Sequence, residues 1–325
     1  MAKPTLTLAL AHYDRTVPLF AGDVGVTGIH LKTLEVGQTI RGRDGERRHE
    51  RMLQDGEFDA AEVSLSSYLI AKDRGLPFTA IPVFPRRLFS MSQIWCRTDA
   101  GIHGPIDLAG KRVGLNSYQT TLSVLAKADL QRSYGVSWKN IHWMLGRREI
   151  FHFEQPPGVS LTLIPEGSKL EALLLAGEID ALIHPHPPRA VLERPDRVAR
   201  LFPDPRAEET RYTRAFGYFP IMHVIALRDE VLHASPELAR AVFNAFEQAW
   251  EICHRRWDDP NWSWLAWGRH AYEDERRALG ADLWANGFAR NRTNLEWFIE
   301  QSREQGLVAG PLPVERLFHP SMLDT

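Results

Sequence analysis

The chain has 325 residues, 44% hydrophobic and 25% charged, with a formal net charge of −2. That length suits two domains of about 100–200 residues each, and so even a charge balance provides no field to draw in nucleic acid or an anionic membrane. No apolar run approaches the ~18 residues that span a bilayer. Cys96 and Cys253 stand in neither a metal-type nor a redox-type spacing, which fits two reduced thiols.

Residues 5–11 alternate, with Leu6, Leu8 and Leu10 against Thr5, Thr7 and Ala9. They read as a first strand, not as a signal peptide, so a cytoplasmic protein is expected. His12, Tyr13, Asp14 and Arg15 follow at its carboxyl end, where ligands of open α/β sheets bind. Residues 29–36 alternate as a second strand, and residues 42–45 read as a mobile loop. Residues 46–54, ERRHERMLQ, read as a charged, exposed helix. Its arginines lack the aromatic platform of a nucleic-acid patch and are expected to be solvated.

A short pattern then occurs twice. Gly56-Glu57-Phe58-Asp59-Ala60 follows one helix and opens a strand ending at Ser64. Gly177-Glu178-Ile179-Asp180-Ala181 follows a second helix and opens a strand ending at His184. Glycine closes each helix, and the apolar residue and alanine enter each sheet. Two copies of one αβ unit predict two lobes of similar plan. The first offers Ser64, Ser66 and Ser67 at a strand end, and Arg86 and Arg87 after the strand over residues 78–84. A guanidinium fork matches a carboxylate in two hydrogen bonds.

Residues 90–97 and 218–227 alternate and lead from one lobe to the other and back, as a hinge requires. The predicted division is residues 1–92 with 222–325 as lobe 1 and residues 93–221 as an inserted lobe 2. In lobe 2, residues 111–134 (KRVGLNSYQTTLSVLAKADLQRSY) read as a strand, a polar turn and a helix. Asn116, Thr120 and Thr121 lie where helix N–H groups lack partners, an arrangement that serves either an anion or simple capping. Residues 146–165 read as loop and hairpin. His184 and His186 offer two imidazoles on one face of an extended segment. No carboxylate in spacing accompanies them, so no metal is assigned. His223, on the returning strand, suits either a ligand or the core.

From Ser235 the chain turns helical, with an apolar stripe through Leu238, Val242, Phe246, Trp250 and Cys253. The later tryptophans fit packing against lobe 1 or a second copy of the chain, which leaves a homo-oligomer open. No Walker loop, GxGxxG, HExxH or GxSxG occurs, and no cofactor is expected.

The runs LALAHYDRTVPL, HERMLQDGEFDAAEVSLSSYL, PFTAIPVFPRRLFS, DLAGKRVGLNSYQTTLSVLAK, GEIDALIHPHPP, PDPRAEE, GYFPIMHV and DDPNWSWLAWGRH resemble the 4,5-dihydroxyphthalate decarboxylase family. The resemblance covers nearly the whole chain. It implies an α/β fold of the type 2 periplasmic binding protein kind, with two Rossmann-like lobes, two crossover strands and C-terminal helices, closing on a small aromatic dicarboxylate. It also implies loss of one carboxylate to give protocatechuate. That chemistry needs proton transfer at a phenol and at a ring carbon, roles given to His12 and His186. Carboxylate and hydroxyl ligands are then Arg86, Arg87, Ser66, Ser67, Asn116, Thr120 and Thr121, with His184 and His223 beside them. The alternatives are a solute-binding protein for an aromatic carboxylate, or another cytosolic enzyme on the same fold.

Overall fold

The sequence repeat marks corresponding strands of two sheets. The computed structural model describes residues 3–325, apart from the side chain of Ala190. In chain order the strands are β1 (Thr5–Leu10), β2 (His30–Glu35), β3 (Ala60–Ser64), β4 (Phe78–Ile81), β5 (Ile94–Arg97), β6 (Arg112–Leu115), β7 (His142–Leu145), β8 (Ser160–Leu163), β9 (Ala181–Ile183), β10 (Val198–Arg200) and β11 (His223–Arg228). One sheet has the order β2-β1-β3-β11-β4, the other β8-β7-β6-β9-β5-β10. In the first, β1 runs parallel to β2 and β3, while β11 is antiparallel to β3 and β4. In the second, β6 runs parallel to β7 and β9, while β5 is antiparallel to β9 and β10. The two plans coincide strand for strand, with β8 added in parallel at one edge. The hairpin expected within residues 146–165 is therefore a crossover into a parallel strand.

The repeated aspartate has the same task in each sheet. Asp59 Oδ2 accepts from Thr7 N of β1 (2.8 Å), and Oδ1 accepts from Arg228 (2.6 Å). Asp180 Oδ2 accepts from Arg112 N of β6 (3.0 Å), and Oδ1 from the Arg112 guanidinium (2.8 Å). Each aspartate thus closes the start of a neighbouring parallel strand. Gly56 and Gly177 turn the preceding helices at φ of 60° and 84°, a conformation that favours glycine. Phe58 and Ile179 are buried beside them.

Two compact units contain these sheets. Unit 1 is Met1–Arg87, Ile221–Glu296 and Leu312–Thr325; unit 2 is Leu88–Pro220 and Trp297–Pro311. The sequence division places residues 297–311 with lobe 1, whereas Tyr118 and Val124 bond them to unit 2: Tyr118 Oη donates to Gln305 O (3.2 Å), and Gln305 Nε2 to Val124 O (2.9 Å). The core of unit 1 joins Leu6, Leu8 and Leu10 of β1 to Val242, Phe243 and Phe246 of the helix Leu238–Arg256. Trp95, Leu170, Leu174 and Leu182 belong to a buried apolar cluster of unit 2. Both cysteines are free and buried. Trp264 and Trp267 are 97% and 79% exposed, so neither packs onto unit 1. Among the described residues no helix is long and apolar enough to cross a membrane.

The charged helix expected over residues 46–54 is the main departure. It spans Arg48–Leu53, and Arg48, His49 and Glu50 are all buried. For Arg48 the reason is a carboxylate 14 residues further on, Glu62; His49 N and the Glu50 carboxylate bond the Gln38 side chain. Residues 42–45, expected to be mobile, close a tight turn, with Gly42 N donating to Gly45 O at 2.8 Å.

Candidate active site

Because β1, β3 and β4 are parallel and β11 runs against them, three carboxyl ends and one amino end share an edge of the first sheet. Register brings His223 opposite Ser64. Met222 N and His223 N both donate to Arg86 O (2.9 and 3.2 Å), fixing the turn after β4. His12, Tyr13, Ser64, Arg86 and His223 therefore meet at one edge, the position where such sheets bind ligands.

Glu62 of β3 is the centre of this edge. It is fully buried and accepts four hydrogen bonds. Tyr13 Oη (3.0 Å) and His223 Nδ1 bond Oε1; Ala11 N (3.0 Å) and Arg48 Nη2 (3.1 Å) bond Oε2. Arg48 also donates from Nε to Glu62 O (2.7 Å) and from Nη1 to Val36 O. Burial alone would push the Glu62 carboxyl up, but the Arg48 charge and the His223 bond hold it well below the ordinary carboxylate range. Burial draws His223 down to about 4, against the pull of Glu62 and with the help of Arg86 and Arg48. Burial, then Glu62, pushes the Tyr13 phenol up to about 12. The three directions agree on one state: an ionised Glu62, a protonated Tyr13, and a neutral His223 with its proton on Nδ1.

Further arginines act on the partners of this carboxylate. The Arg15 guanidinium lies between the rings of Tyr13 (4.2 Å) and Trp284 (4.4 Å) and donates from Nε to Pro85 O at 2.6 Å. The Arg86 charge acts on both Tyr13 and His223. Arg87 is turned into unit 1, where Nη2 donates to Ala285 O (2.9 Å) and Asn291 Oδ1 (2.6 Å), and burial pulls its guanidinium down to about 9. Of the two arginines read as a clamp, Arg86 is thus the one tied to the sheet edge. His12 is exposed, with its ring edge-on to Phe20 at 4.9 Å. Ser64 caps the helix Leu65–Asp73 by accepting from Ser67 N (3.5 Å), and Ser66 and Ser67 are buried in its first turn.

Unit 2 has the polar turn expected before the helix Thr121–Tyr134, but an internal carboxylate fills it. Glu149 accepts from Tyr118 N (2.6 Å) and Gln119 N (3.1 Å). Thr120 Oγ1 donates to Ser117 O (3.3 Å) and meets Ser123 Oγ at 2.6 Å, while Thr121 is buried. Asn116 O accepts from Arg147 N (2.9 Å), which leads the chain towards Glu149. His184 Nδ1 lies against the backbone of His186, accepting from its N–H at 3.2 Å. The two rings are 6.3 Å apart and tilted by 61°, so they do not form the one-faced pair expected from an extended segment. Among the described residues, no three His, Cys, Asp or Glu side chains converge as a metal site.

Sequence reading missed Glu62, Arg48 and the structural role of Tyr13. One signal was available: Glu62 is the single charge inside the run AAEVS, and an ionised group in a buried strand needs a partner.

The fold defines the class first. No family model matches the chain. The sulfonate-binding protein SsuA of Methylobacillus flagellatus KT superimposes with a TM-score of 0.57 at 12% identity, covering 100% of this chain and 94% of that one. The periplasmic aliphatic sulphonate binding protein SsuA of Escherichia coli gives 0.55 at 12% identity, covering 100% of each. A Candida albicans protein described as having the generic periplasmic binding protein fold gives 0.50 at 13%, covering 97% and 94%. The molecule is an α/β protein of that fold. By sequence, it is 34% identical over 334 residues to the 4,5-dihydroxyphthalate decarboxylase of Comamonas testosteroni, covering 100% of this chain and 99% of the relative. The Pseudomonas putida enzyme of the same name is 32% identical over 225 residues, covering 67% and 84%. The chain belongs to the 4,5-dihydroxyphthalate decarboxylase family.

Proposed function

We propose that this protein removes one carboxylate from 4,5-dihydroxyphthalate to give protocatechuate and carbon dioxide. The observation that carries this reading is the 34% identity to the Comamonas testosteroni decarboxylase along the full length of both chains. The first sheet edge supplies chemistry suited to such a substrate. Arg15 and Arg86 offer positive charge for a dicarboxylate, and Arg86 is assigned to the retained carboxylate.

Each carboxylate of the substrate is para to a hydroxyl. Withdrawing the phenolic proton pushes electrons to the para ring carbon, which takes up a proton. The bond from that carbon to the carboxylate then breaks, carbon dioxide leaves, and the pair restores the aromatic ring. The dianion consumes one proton overall and yields the monoanion of protocatechuate. His12 and His186 are the groups assigned to deliver the ring proton, to be separated by variants.

Carbon dioxide release across a panel of hydroxylated phthalates tests the reading. Turnover should be greatest with hydroxyls para to the carboxylates. Arg86→Ala should raise KM more than it lowers kcat, because it removes binding present in ground and transition states alike. The binding-protein likeness favours a second reading, capture of an aromatic carboxylate without reaction. Tight binding of 4,5-dihydroxyphthalate with no gas release would establish that reading instead. A cytoplasmic location is part of the same proposal. Intact mass of protein from its native cell tests it.

A further inference from the structure

The geometry at the first sheet edge assigns a role that rests on the decarboxylase reading and extends it. We propose that Glu62 and His223 act as a carboxylate–imidazole pair, in which Glu62 fixes the His223 tautomer and Nε2 of His223 accepts the phenolic proton of the substrate. His223 is then the catalytic residue, and Glu62 and Arg48 are positioning residues.

Three observations converge. The first is direction. Nδ1 of His223 is committed to Glu62 Oε1, so the ring proton sits on Nδ1 and the lone pair on Nε2. The second is availability. Nε2 has no hydrogen-bond partner among the described residues and is not buried, and the side chain keeps 10% of its surface exposed. The third is how firmly Glu62 is held. Arg48 bonds both its carboxylate and its backbone carbonyl, and Ala11 N and Tyr13 Oη take further lone pairs. A carboxylate held by three other donors cannot swing away from the imidazole. Such an orienting partner also favours the imidazolium that forms when Nε2 takes the proton.

The groups facing His223 come from every neighbouring element. Glu62 lies on β3, Tyr13 follows β1, Arg86 follows β4, and Arg48 and His49 begin the helix Arg48–Leu53. The His49 ring stands edge-on to it at 4.9 Å. Of these, only Glu62 favours the charged imidazole; Arg48 and Arg86 oppose it, so the proton taken up is readily returned. In the step itself the phenolic O–H bond breaks and an Nε2–H bond forms. The phenolate pair drives protonation of the para carbon and loss of carbon dioxide, and the imidazolium then returns its proton to the oxygen.

The experiment compares wild type, His223→Gln and Glu62→Gln by carbon dioxide release against pH, with denaturant melts to check folding. His223→Gln should lower kcat about 10²–10⁴-fold with little change in KM. Glu62→Gln should lower kcat about 10–100-fold, as loss of an orienting partner does. Both deficits should shrink as the pH rises through ionisation of the substrate phenol, because an ionised phenol needs no base. A merely structural role would give a deficit that pH does not repair. A folded His223→Gln with near-wild-type kcat, or a deficit that persists at alkaline pH, overturns the proposal. Should Glu62→Gln not fold, Glu62→Gln with Arg48→Met restores charge balance and replaces it. Wild type that releases no carbon dioxide overturns the decarboxylase reading itself. Nitrogen-15 shifts of His223 report separately on the pair: a proton on Nε2 in the free enzyme refutes the tautomer whatever the turnover.

Discussion

Buried carboxylates in the two units respond to burial in opposite ways. In unit 1, Glu62 has a guanidinium, a phenol, an imidazole and a backbone N–H on its two oxygens, and stays ionised. In unit 2, Asp129 is equally buried but is met by Ser90 Oγ at 2.6 Å, with Tyr212 and Arg132 nearby, and burial pushes it up to about 7. Lys127, two residues earlier, is also fully buried; its amine lies 2.9 Å from the centre of the Tyr118 ring and, among the described residues, donates only to Tyr118 O at 3.2 Å. Burial draws it well below the ordinary lysine range. The difference teaches how to tell a charge that is used from one that is tolerated. Unit 1 gathers donors to keep a carboxylate charged, whereas in unit 2 burial shifts Asp129 and Lys127 towards their neutral forms.

Breaking the compensation in unit 1 should have the largest effect. Arg48→Met leaves Glu62 buried without its cation and should cost about 3–5 kcal/mol of stability. Replacing both, as Arg48→Met with Glu62→Gln, should recover much of that loss. Urea denaturation of the three proteins measures it. If Arg48→Met alone melts like wild type, the ion pair does not hold the edge together.

A pH series sharpens the same contrast. His223 is drawn from 6.5 to about 4 in the fold, so its share of stability is full above 6.5 and is lost as the pH falls towards 4. Asp129 is raised from 3.8 to about 7, so its share is full below 3.8 and is lost as the pH rises towards 7. Between those limits the two slopes oppose each other, each at up to about 1.4 kcal/mol per pH unit. Asp129→Asn should therefore steepen the gain of stability with rising pH over this window, and His223→Gln should reverse it. Slopes that shift in the same direction in both variants would refute the contrast.

Much of the fold could be read in advance because it follows from local pattern. Alternation placed β1 and β2, and the Gly-Glu-apolar-Asp-Ala repeat marked β3 and β9 as equivalents. What the repeat did not disclose was why aspartate recurs: its partners, Thr7 and Arg112, lie 52 and 68 residues away. The site was less legible for the same reason. Arg48 looked like one more charge on a solvated helix, since nothing in its spacing reveals Glu62 beyond a turn and a strand entry. The residues before the helix Thr121–Tyr134 have the composition of an anion pocket, and they bind an anion, but it is Glu149 from a loop 30 residues on. Pattern identifies the donors; only tertiary pairing says which acceptor reaches them.

Lys127→Met should have the smallest effect and the opposite sign to Arg48→Met. Methionine fills a similar volume without a polar end, and the substitution removes a single bond to Tyr118 O. Glu149 interacts with Lys127 through charge, but it keeps its own two bonds from Tyr118 N and Gln119 N, so it is not left unsatisfied. Replacing a poorly compensated buried polar group by an apolar one of similar shape is neutral or stabilising. The expected change is between zero and a gain of about 1 kcal/mol, read from the same urea melts. A loss comparable to that of Arg48→Met would mean that the Lys127 amine is a used charge after all, with the Tyr118 ring and Glu149 acting on it as Arg48 and His223 act on Glu62.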